Sequence, residues 1–314
     1  MPSAHPRATP VAVLDIGTNS TKLLVGKVRG GRVHVIARRL TTTRIGAGLA
    51  GGRGVAQTAV VATIAAIQEY RRLARRHGCE HLFGYATWAL RRAPRSAAIL
   101  RRIERRTGVR VRVLSARQEA RLAYTGARAC LQHPKPATLL VDIGGGSVEL
   151  VFARRGQIAR TMSLPLGALR LTERYVRHDP PGAGELAAIR SRADSLLASF
   201  FHRCPRFAPA RLDLVASGGT VTTLARMLSG ADAARGAAVR RADIARLARR
   251  CGAATLAARR RMRGLPADRA DIIAAGLVVV LAVMDHARKR VLHINPGGVR
   301  EGVLLHVVER GFRW

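Results

Sequence analysis

Residues 141–150 read VDIGGGSVEL, and residues 14–23 read LDIGTNSTKL. Both stretches place Asp-Ile-Gly, two residues, a serine, two more residues and a leucine in the same order, and the second lies 127 positions after the first. Asp15 and Asp142 are the equivalent acids of the two copies. A repeat of this kind indicates that the chain contains one structural unit twice.

The residues around each copy predict a strand, a turn and a second strand. Residues 11–14 and 138–141 are short, nearly continuous apolar runs that end at the aspartate, a pattern typical of strands buried on both faces. A second apolar run follows each glycine turn, at residues 23–28 and 148–153. The sequence therefore predicts a β-hairpin in each copy.

The segments that follow the two hairpins have a similar order. After the first hairpin, the sequence predicts a strand at residues 32–41, a helix at 55–77, a strand at 81–86, a helix at 96–106 and a strand at 109–114. After the second hairpin, it predicts a strand at 157–164, helical segments up to 201, a strand at 212–216 and mostly helices beyond. This order predicts a duplicated α/β unit with a cleft between the copies. We expect domains at 1–127 and 128–314, because the polar, proline-bearing stretch QHPKPA at 132–137 is typical of a linker.

The charge balance is strongly basic. Among 314 residues, 55 are Lys or Arg and 19 are Asp or Glu, a formal net charge of +36. Such an excess favours a polyanionic partner such as polyphosphate, a nucleotide or nucleic acid. It is equally what the arginine-rich composition of a GC-rich genome would place on solvated helix faces. The basic stretches at residues 101–106 and 259–263 are candidates for substrate capture.

Several classes of protein are disfavoured. The four cysteines show no metal-ligand spacing, which is typical of reduced thiols in a cytosolic protein. The first ten residues lack the apolar core of a signal peptide. The longest apolar run, residues 272–284, is shorter than the ~20 residues that a membrane helix needs, and it predicts a buried helix instead. We therefore expect a cytoplasmic protein without a membrane partner.

The second copy, DIGGGSVE, has the composition of a phosphate-binding turn. The three glycines at residues 144–146 let backbone N–H groups approach a phosphate oxygen, and Ser147 adds a hydroxyl donor. Asp142 and Glu149 are hard oxygen ligands of the kind that Mg²⁺ takes. The alternative is an ordinary tight hairpin turn with surface acids, which the in-register repeat disfavours.

The first copy offers a cation where the second offers an acid. Thr18 and Asn19 replace two of the glycines, and Lys22 replaces Glu149. Asn19 is one of only two Asn residues in the chain, although asparagine is also common in turns. A third glycine turn, ASGGTVTTL at residues 216–224, precedes a predicted helix, where backbone N–H groups favour anions. This turn is a weak signal by itself, because many connections use glycine.

Two further residues are candidates for catalysis. In LSARQEARLAY, Ser115 and Gln118 have the spacing of a capping box, which places Glu119 in the first turn of a helix. A carboxylate there can orient or activate water, but acids are also common in first turns for electrostatic reasons alone. Arg91 and Arg92 follow a predicted strand, where a guanidinium can bind a phosphoryl group. In a chain this rich in arginine, a solvated surface position is the usual alternative.

Together these motifs resemble those of the exopolyphosphatase and guanosine pentaphosphate phosphohydrolase family (Ppx/GppA), within the actin, sugar-kinase and Hsp70 superfamily. The match covers nearly the whole chain in family order, through DIGTNSTKLLV, ATWALRRAP, QEARLAYTGA, VDIGGGSVELVF, LPLGALRLTERY, SGGTVTTLA, GLPADRADIIAAG and GGVREGVLL. The resemblance implies two ribonuclease H-like α/β domains with an active-site cleft between them, in the short two-domain form. It also implies that the last helix, near residues 300–312, packs back on the N-terminal domain.

The same resemblance implies roles for individual residues. Glu119 and Glu149 are implied as catalytic, with Glu119 as the base for the attacking water. Asp15, Asp142 and Glu149 are implied to organise Mg²⁺, or Mn²⁺ in its place, and the reacting phosphates. The implied phosphate ligands are Gly17, Thr18, Asn19, Ser20, Arg91, Gly144, Gly145, Gly146, Ser147, Gly218, Gly219 and Thr220.

The implied activity is a Mg²⁺-dependent hydrolase that releases terminal phosphate from inorganic polyphosphate or converts pppGpp to ppGpp, in a homodimer. Two other classes stay open: an ATP-dependent small-molecule kinase of the same superfamily, and a non-catalytic polyanion-binding protein. No RNA-binding aromatic signature or helix-turn-helix pattern supports a specific nucleic-acid partner. Lys22, Arg92, Pro296 and Gly297 depart from the family pattern, which bears on substrate preference more than on the chemistry.

Overall fold

The computed structural model describes residues 9–131, 136–204, 212–230 and 237–314. Its first half begins with a hairpin and a third strand and continues with alternating helices and strands. The elements are β1 (Val11–Ile16), β2 (Thr21–Arg29), β3 (Arg32–Thr41), α1 (Gln57–Arg76), β4 (His81–Ala86), α2 (Trp88–Arg92), α3 (Ser96–Thr107), β5 (Val111–Val113) and α4 (Ala116–Cys130). The segments predicted from the sequence are present, with shifted ends.

The second half repeats this order and adds helices. Its elements are β6 (Ala137–Ile143), β7 (Val148–Arg154), β8 (Gln157–Leu164), α5 (Ala168–Tyr175), α6 (Ala183–His202), β9 (Leu212–Ser217), α7 (Gly219–Ser229), β10 (Ala238–Arg240), α8 (Arg241–Ala253), α9 (Leu256–Arg260), α10 (Ile273–His286), β11 (Val291–Ile294) and α11 (Val299–Glu309). Two short strands, β10 and β11, lie in the region where the sequence pattern predicted mostly helices.

The two sheets have the same topology. The first has the strand order β3-β2-β1-β4-β5, and the second has β8-β7-β6-β9-β11 with β10 at its outer edge. In each, the central strand pairs antiparallel with the next strand of its hairpin and parallel with a later strand, β4 or β9. This equivalence confirms the predicted duplication and the α/β fold class.

Helices cover both faces of the first sheet. All six residues of β1 are buried. On one face its side chains pack with α1, in a cluster that includes Leu14 and Ile67. On the other face Val11 and Leu24 share a cluster with Val303 of α11. The last helix of the chain therefore lies against the sheet of the first half.

Helices α4 and α11 cross each other between the two sheets. Their backbones approach so closely that a Cβ atom on Gly302 would collide with the Leu122 carbonyl oxygen of α4. Helix α4 also packs on the second sheet, in a cluster that contains Ala123 and Leu140. Helix α4 continues to Cys130, past the domain boundary that we expected after residue 127. The division into these two domains stays a prediction. Most of the predicted linker, residues 132–135, lies outside the described residues.

The apolar run at residues 272–284 forms most of α10, and its side chains belong to the core of the second half. This confirms the prediction of a buried helix. Over the described ranges, none of the helices combines the length and the apolar character that a bilayer-crossing segment requires.

Candidate active site

The two repeated turns have the same backbone geometry. The Gly17 N–H donates to the Ser20 carbonyl oxygen at 3.1 Å, and the Gly144 N–H donates to the Ser147 carbonyl oxygen at 3.0 Å. The turns meet across the cleft, because a Cβ atom on Gly146 would lie 2.6 Å from the Thr18 hydroxyl oxygen. The equivalence seen in the sequence is therefore a spatial pairing of the two turns.

A narrow cavity of about 70 Å³ lies between these turns. The cavity brings together nearly all the predicted site residues: Asp15, Gly17, Thr18, Asn19, Ser20, Glu119, Asp142, Gly144, Gly145, Gly146, Ser147, Glu149, Gly218, Gly219 and Thr220. Of the predicted set, Arg91 is not in this lining but contacts it through Glu119. The roles of these residues stay predictions.

The third glycine turn closes the cavity beside Asp142. Gly218 has a φ of +96°, and a Cβ atom on it would lie 2.5 Å from Asp142 Oδ1. A side chain is therefore excluded by both backbone conformation and space. Helix α7 begins at the next residue, so its first N–H groups lie at the cavity, where they favour an anion.

The end of the first strand holds an acid and a cation together. Asp15 on β1 is paired in register with Lys22 on β2, and Lys22 Nζ lies 3.3 Å from Asp15 Oδ2. In the second copy the equivalent pair is Asp142 and Glu149, two acids in register. Burial raises the pKa of Asp142 to about 6; Lys22 opposes the shift, and Asp15 adds to it.

Glu149 and Glu119 form a second acidic pair. Burial raises the pKa of Glu149 to about 7, and the charge of Asp142 adds to the shift. The Ser163 hydroxyl donates to Glu149 Oε1 at 2.8 Å. Burial and the charge of Glu149 raise the pKa of Glu119 well above its ordinary value, against the effect of Arg91.

Arg91 fixes the position of Glu119. Its Nη1 donates to Glu119 Oε2 at 2.8 Å and to the Leu114 carbonyl oxygen at 2.8 Å. The predicted capping box of α4 is present, since Ser115 accepts from the Gln118 N–H and the Gln118 side chain accepts from the Ser115 N–H. Glu119 is therefore held in the first helical turn by a cap and by an ion pair.

The donor set fits a hard divalent cation that is shared with a substrate. In the described parts of the chain, no three His, Cys, Asp or Glu side chains are placed to hold a metal by themselves. Mg²⁺ commonly binds to one or two carboxylates and completes its shell with water and substrate phosphates. Burial raises the pKa of both Asp142 and Glu149, and a cation bound between them would favour their ionised forms. The buried Tyr85 hydroxyl also lines the cavity and has no hydrogen-bond partner among the described residues.

An adjoining cavity of about 360 Å³ shares Asp15, Lys22, Asp142 and Arg269 with the first. Its further cations are Arg226 and Arg300. Asp268 and Glu301 are its further acids, so the second cavity continues the first with charges of both signs.

Arg269 and Tyr85 are among the lining residues of the cavity that sequence reasoning missed. The Arg269 guanidinium lies over Gly219, where a Cβ atom would collide with it, and burial lowers its pKa. The motif GLPADRADIIAAG contains Arg269, but nothing in the sequence singles it out among 55 basic residues. The expectation for residues 259–263 was wrong in part, because buried Arg259 donates to the Cys251 and Ala254 carbonyl oxygens.

A larger cavity, of about 860 Å³, lies at the opposite end of β4. Arg71, Arg75, Arg110 and Arg112 line it, and Glu80 is the one acid among the described residues of its lining. It has neither repeated turn nor paired carboxylates. Metal-assisted phosphoryl chemistry therefore fits the smaller cavity.

Contacts between the two halves hold the cleft closed. Arg44, in the loop after β3, makes two hydrogen bonds to Asp271, from Nη1 to Oδ2 at 2.6 Å and from Nη2 to Oδ1 at 2.9 Å. The nearby Gly48 N–H donates to Glu173 Oε1 at 2.9 Å, and Thr42 donates to Asp268. The loop that supports the first turn is therefore fastened to the second half.

Comparisons with known proteins agree with this geometry. Residues 23–310 match the Ppx/GppA phosphatase family. The chain is 31% identical to exopolyphosphatase 1 of Mycobacterium leprae and 32% identical to that of Mycobacterium tuberculosis strain H37Rv, with 95% of this chain and 89% and 88% of those proteins covered. The crystal structure of a Ppx/GppA family member from Aquifex aeolicus superposes with a TM-score of 0.79 at 28% identity, covering 98% of this chain and 99% of that one. The chain belongs to the Ppx/GppA phosphatase family.

Proposed function

We propose that the protein is a Mg²⁺-dependent phosphoanhydride hydrolase. It releases the terminal phosphate of inorganic polyphosphate, converts pppGpp to ppGpp, or does both. The observation that carries the proposal is the convergence of both repeated turns, the third turn and the Arg91–Glu119 pair on one small cavity. The names of the mycobacterial relatives support polyphosphate as a substrate.

The turns supply the binding of the terminal phosphoryl group. Their glycines place backbone N–H groups at the cavity, and Ser147 and Thr220 add hydroxyl donors. The next phosphoryl groups of the ligand extend into the adjoining cavity, where Lys22, Arg226 and Arg269 neutralise their charge. Because phosphoryl transfer depends on positioning and charge neutralisation, this arrangement supplies most of what the reaction needs.

Asp15, Asp142 and Glu149 would hold the cation together with the substrate oxygens. When bound, Mg²⁺ withdraws charge from the phosphoryl oxygens and favours departure of the leaving phosphate. The three carboxylates come from both copies of the repeat, so the site is complete only when the two turns face each other.

Glu119 is the base in this proposal. It accepts a proton from water while the water oxygen forms a bond to the terminal phosphorus, and the bridging P–O bond breaks. The leaving phosphate oxygen keeps the electron pair of that bond. A raised pKa makes Glu119 a stronger base than an exposed carboxylate, and Arg91 keeps it oriented.

A phosphate-release assay tests the proposal. Long polyphosphate, tripolyphosphate and pppGpp are each incubated with the protein and Mg²⁺, with no acceptor molecule, and repeated with Mn²⁺ and with EDTA. We expect phosphate release that needs the metal. Release only when an acceptor is added would favour the kinase alternative, and binding without release would favour the non-catalytic one. The homodimer stays a prediction, and the molar mass measured by light scattering tests it.

A further inference from the structure

Four arginines lie close enough to interact electrostatically where α5 of the second half contacts α2 of the first. Arg92 lies at the end of α2 in the first half, Arg170 and Arg174 lie four residues apart on one face of α5, and Arg192 lies on α6. The Arg170 guanidinium stacks on Trp88 of α2, 5.0 Å from the ring centroid. The cluster therefore joins elements of both halves.

The cluster lies directly behind the catalytic turn of the second copy. The Arg170 N–H donates to the Gly145 carbonyl oxygen at 3.0 Å. Trp88 fills the space that a side chain on Gly146 would need. Neither Trp88 nor Arg170 lines the small cavity. The cluster is thus adjacent to the site described above but outside it.

The positive charges in this cluster repel one another. Burial lowers the pKa of Arg170, and the charges of Arg174, Arg92 and Arg192 lower it further. Over the ranges that the structure covers, no ion pair links any of the four to a carboxylate. Arg92, Arg174 and Arg192 are exposed, so a ligand can reach them. Because arginine keeps its charge, an anion is what would relieve the repulsion.

We propose that Arg92, Arg170, Arg174 and Arg192 form a second binding site for phosphoryl groups, separate from the catalytic cavity. Guanidinium groups bind phosphate oxygens through pairs of parallel hydrogen bonds. Several neighbouring arginines therefore fit a ligand with several phosphoryl groups better than a ligand with one carboxylate. The ligand contacts both halves and thereby favours the closed cleft. The site does not depend on the proposed hydrolysis, because it binds without reacting.

Calorimetric titration with tripolyphosphate in EDTA counts the sites. We expect the triple variant R92Q/R174Q/R192Q to bind one molecule fewer than the wild-type protein, or to bind that molecule at least about tenfold more weakly. The matched control, R72Q/R76Q/R249Q, removes three exposed arginines of α1 and α8 and should bind as many molecules as the wild-type protein. Equal binding by both triple variants would overturn the proposal.

Trp88 reports on the same site by fluorescence. The chain has two tryptophans, so Trp314→Phe leaves Trp88 as the only one. In that background, tripolyphosphate should change the emission in two phases, and the cluster variant should lose one phase. A titration with the same two phases in the cluster variant would contradict the assignment.

Titration with long polyphosphate shows whether the cluster binds part of a chain that also occupies the cavity or binds a separate anion. One long chain per protein, bound less tightly by the cluster variant, means that a single chain spans the cavity and the cluster. Two chains per protein mean that the cluster takes a separate anion. A protein that hydrolyses none of the substrates but keeps the cluster-dependent site would refute the proposed function alone.

Discussion

Glu149→Gln is expected to stabilise the protein at pH 8 in the absence of divalent metal, although it removes a carboxylate from the active site. The Glu149 carboxyl is buried, and its pKa in the folded protein is about 7, compared with an ordinary value of 4.5. Below about pH 4.5 the group is protonated in both the folded and the unfolded chain, and ionisation has no effect on stability. Between pH 4.5 and about 7 the unfolded chain ionises this group while the folded protein keeps it protonated, so stability falls across this range and levels off above pH 7, where both states are ionised.

The size of the effect follows from the two pKa values. The gap between 4.5 and about 7, at about 1.4 kcal/mol for each pH unit, is worth about 3 kcal/mol in the free energy of unfolding. For a chain of 314 residues the entropy of unfolding is about 0.66 kcal/mol/K, so the change corresponds to a rise in Tm of about 5 °C. Thermal unfolding of the wild type and the variant, in EDTA at pH 8 and at pH 4.5, measures it. The difference should almost disappear at pH 4.5.

Two comparisons make the result specific. Glu104→Gln, on the exposed face of α3, should change stability by less than about 0.5 kcal/mol at either pH. Added Mg²⁺ should stabilise the wild type more than Glu149→Gln, because the variant has lost a ligand. If Glu149→Gln lowers Tm at pH 8 in EDTA, or shifts it equally at both pH values, the buried acid is not a source of strain and the reasoning fails.

Three other predictions concern the cleft. Asp15→Asn and Asp142→Asn should each remove activity while the protein stays folded, since the two copies act on one ligand; full activity in either folded variant would contradict the pairing. Arg44→Met should raise KM about three- to tenfold, because it removes the ion pair with Asp271. In a double-mutant cycle, adding Asp271→Leu to that variant should raise KM little further. KM for long polyphosphate should rise more steeply with KCl than KM for pppGpp, because the longer chain makes more contacts with arginine; equal, shallow slopes would mean a merely solvated surface charge.

The sequence predicts the fold because buried strands leave a local pattern. The apolar runs before Asp15 and Asp142 become the central strands β1 and β6, and the repeat predicts that the two sheets share a topology. The capping box before Glu119 is equally local, since it depends on residues three positions apart. These features needed no knowledge of distant contacts.

Residues that reach the cavity only through the tertiary fold could not be predicted. Arg259 begins a run of arginines and Arg269 stands between Asp268 and Asp271, but neither pattern shows that the first turns inward to backbone carbonyls or that the second covers Gly219. Tyr85 is the penultimate residue of β4, and nothing in the sequence distinguishes it from other buried strand residues. The pairing of Arg91 with Glu119 brings together residues 28 positions apart. Such pairs depend on how the helices pack, which side-chain periodicity does not record.

The most direct test of the central claim is single-turnover release of phosphate from polyphosphate by the wild type and by Glu119→Gln, with both proteins saturated with substrate and Mg²⁺. The variant keeps the turns and the cations, so its Kd for polyphosphate should stay within severalfold of the wild-type value. Its rate should fall by about 10²- to 10⁴-fold, the usual loss when a general base is removed. A variant that binds equally well and releases phosphate at more than half of the wild-type rate would show that Glu119 is not the base.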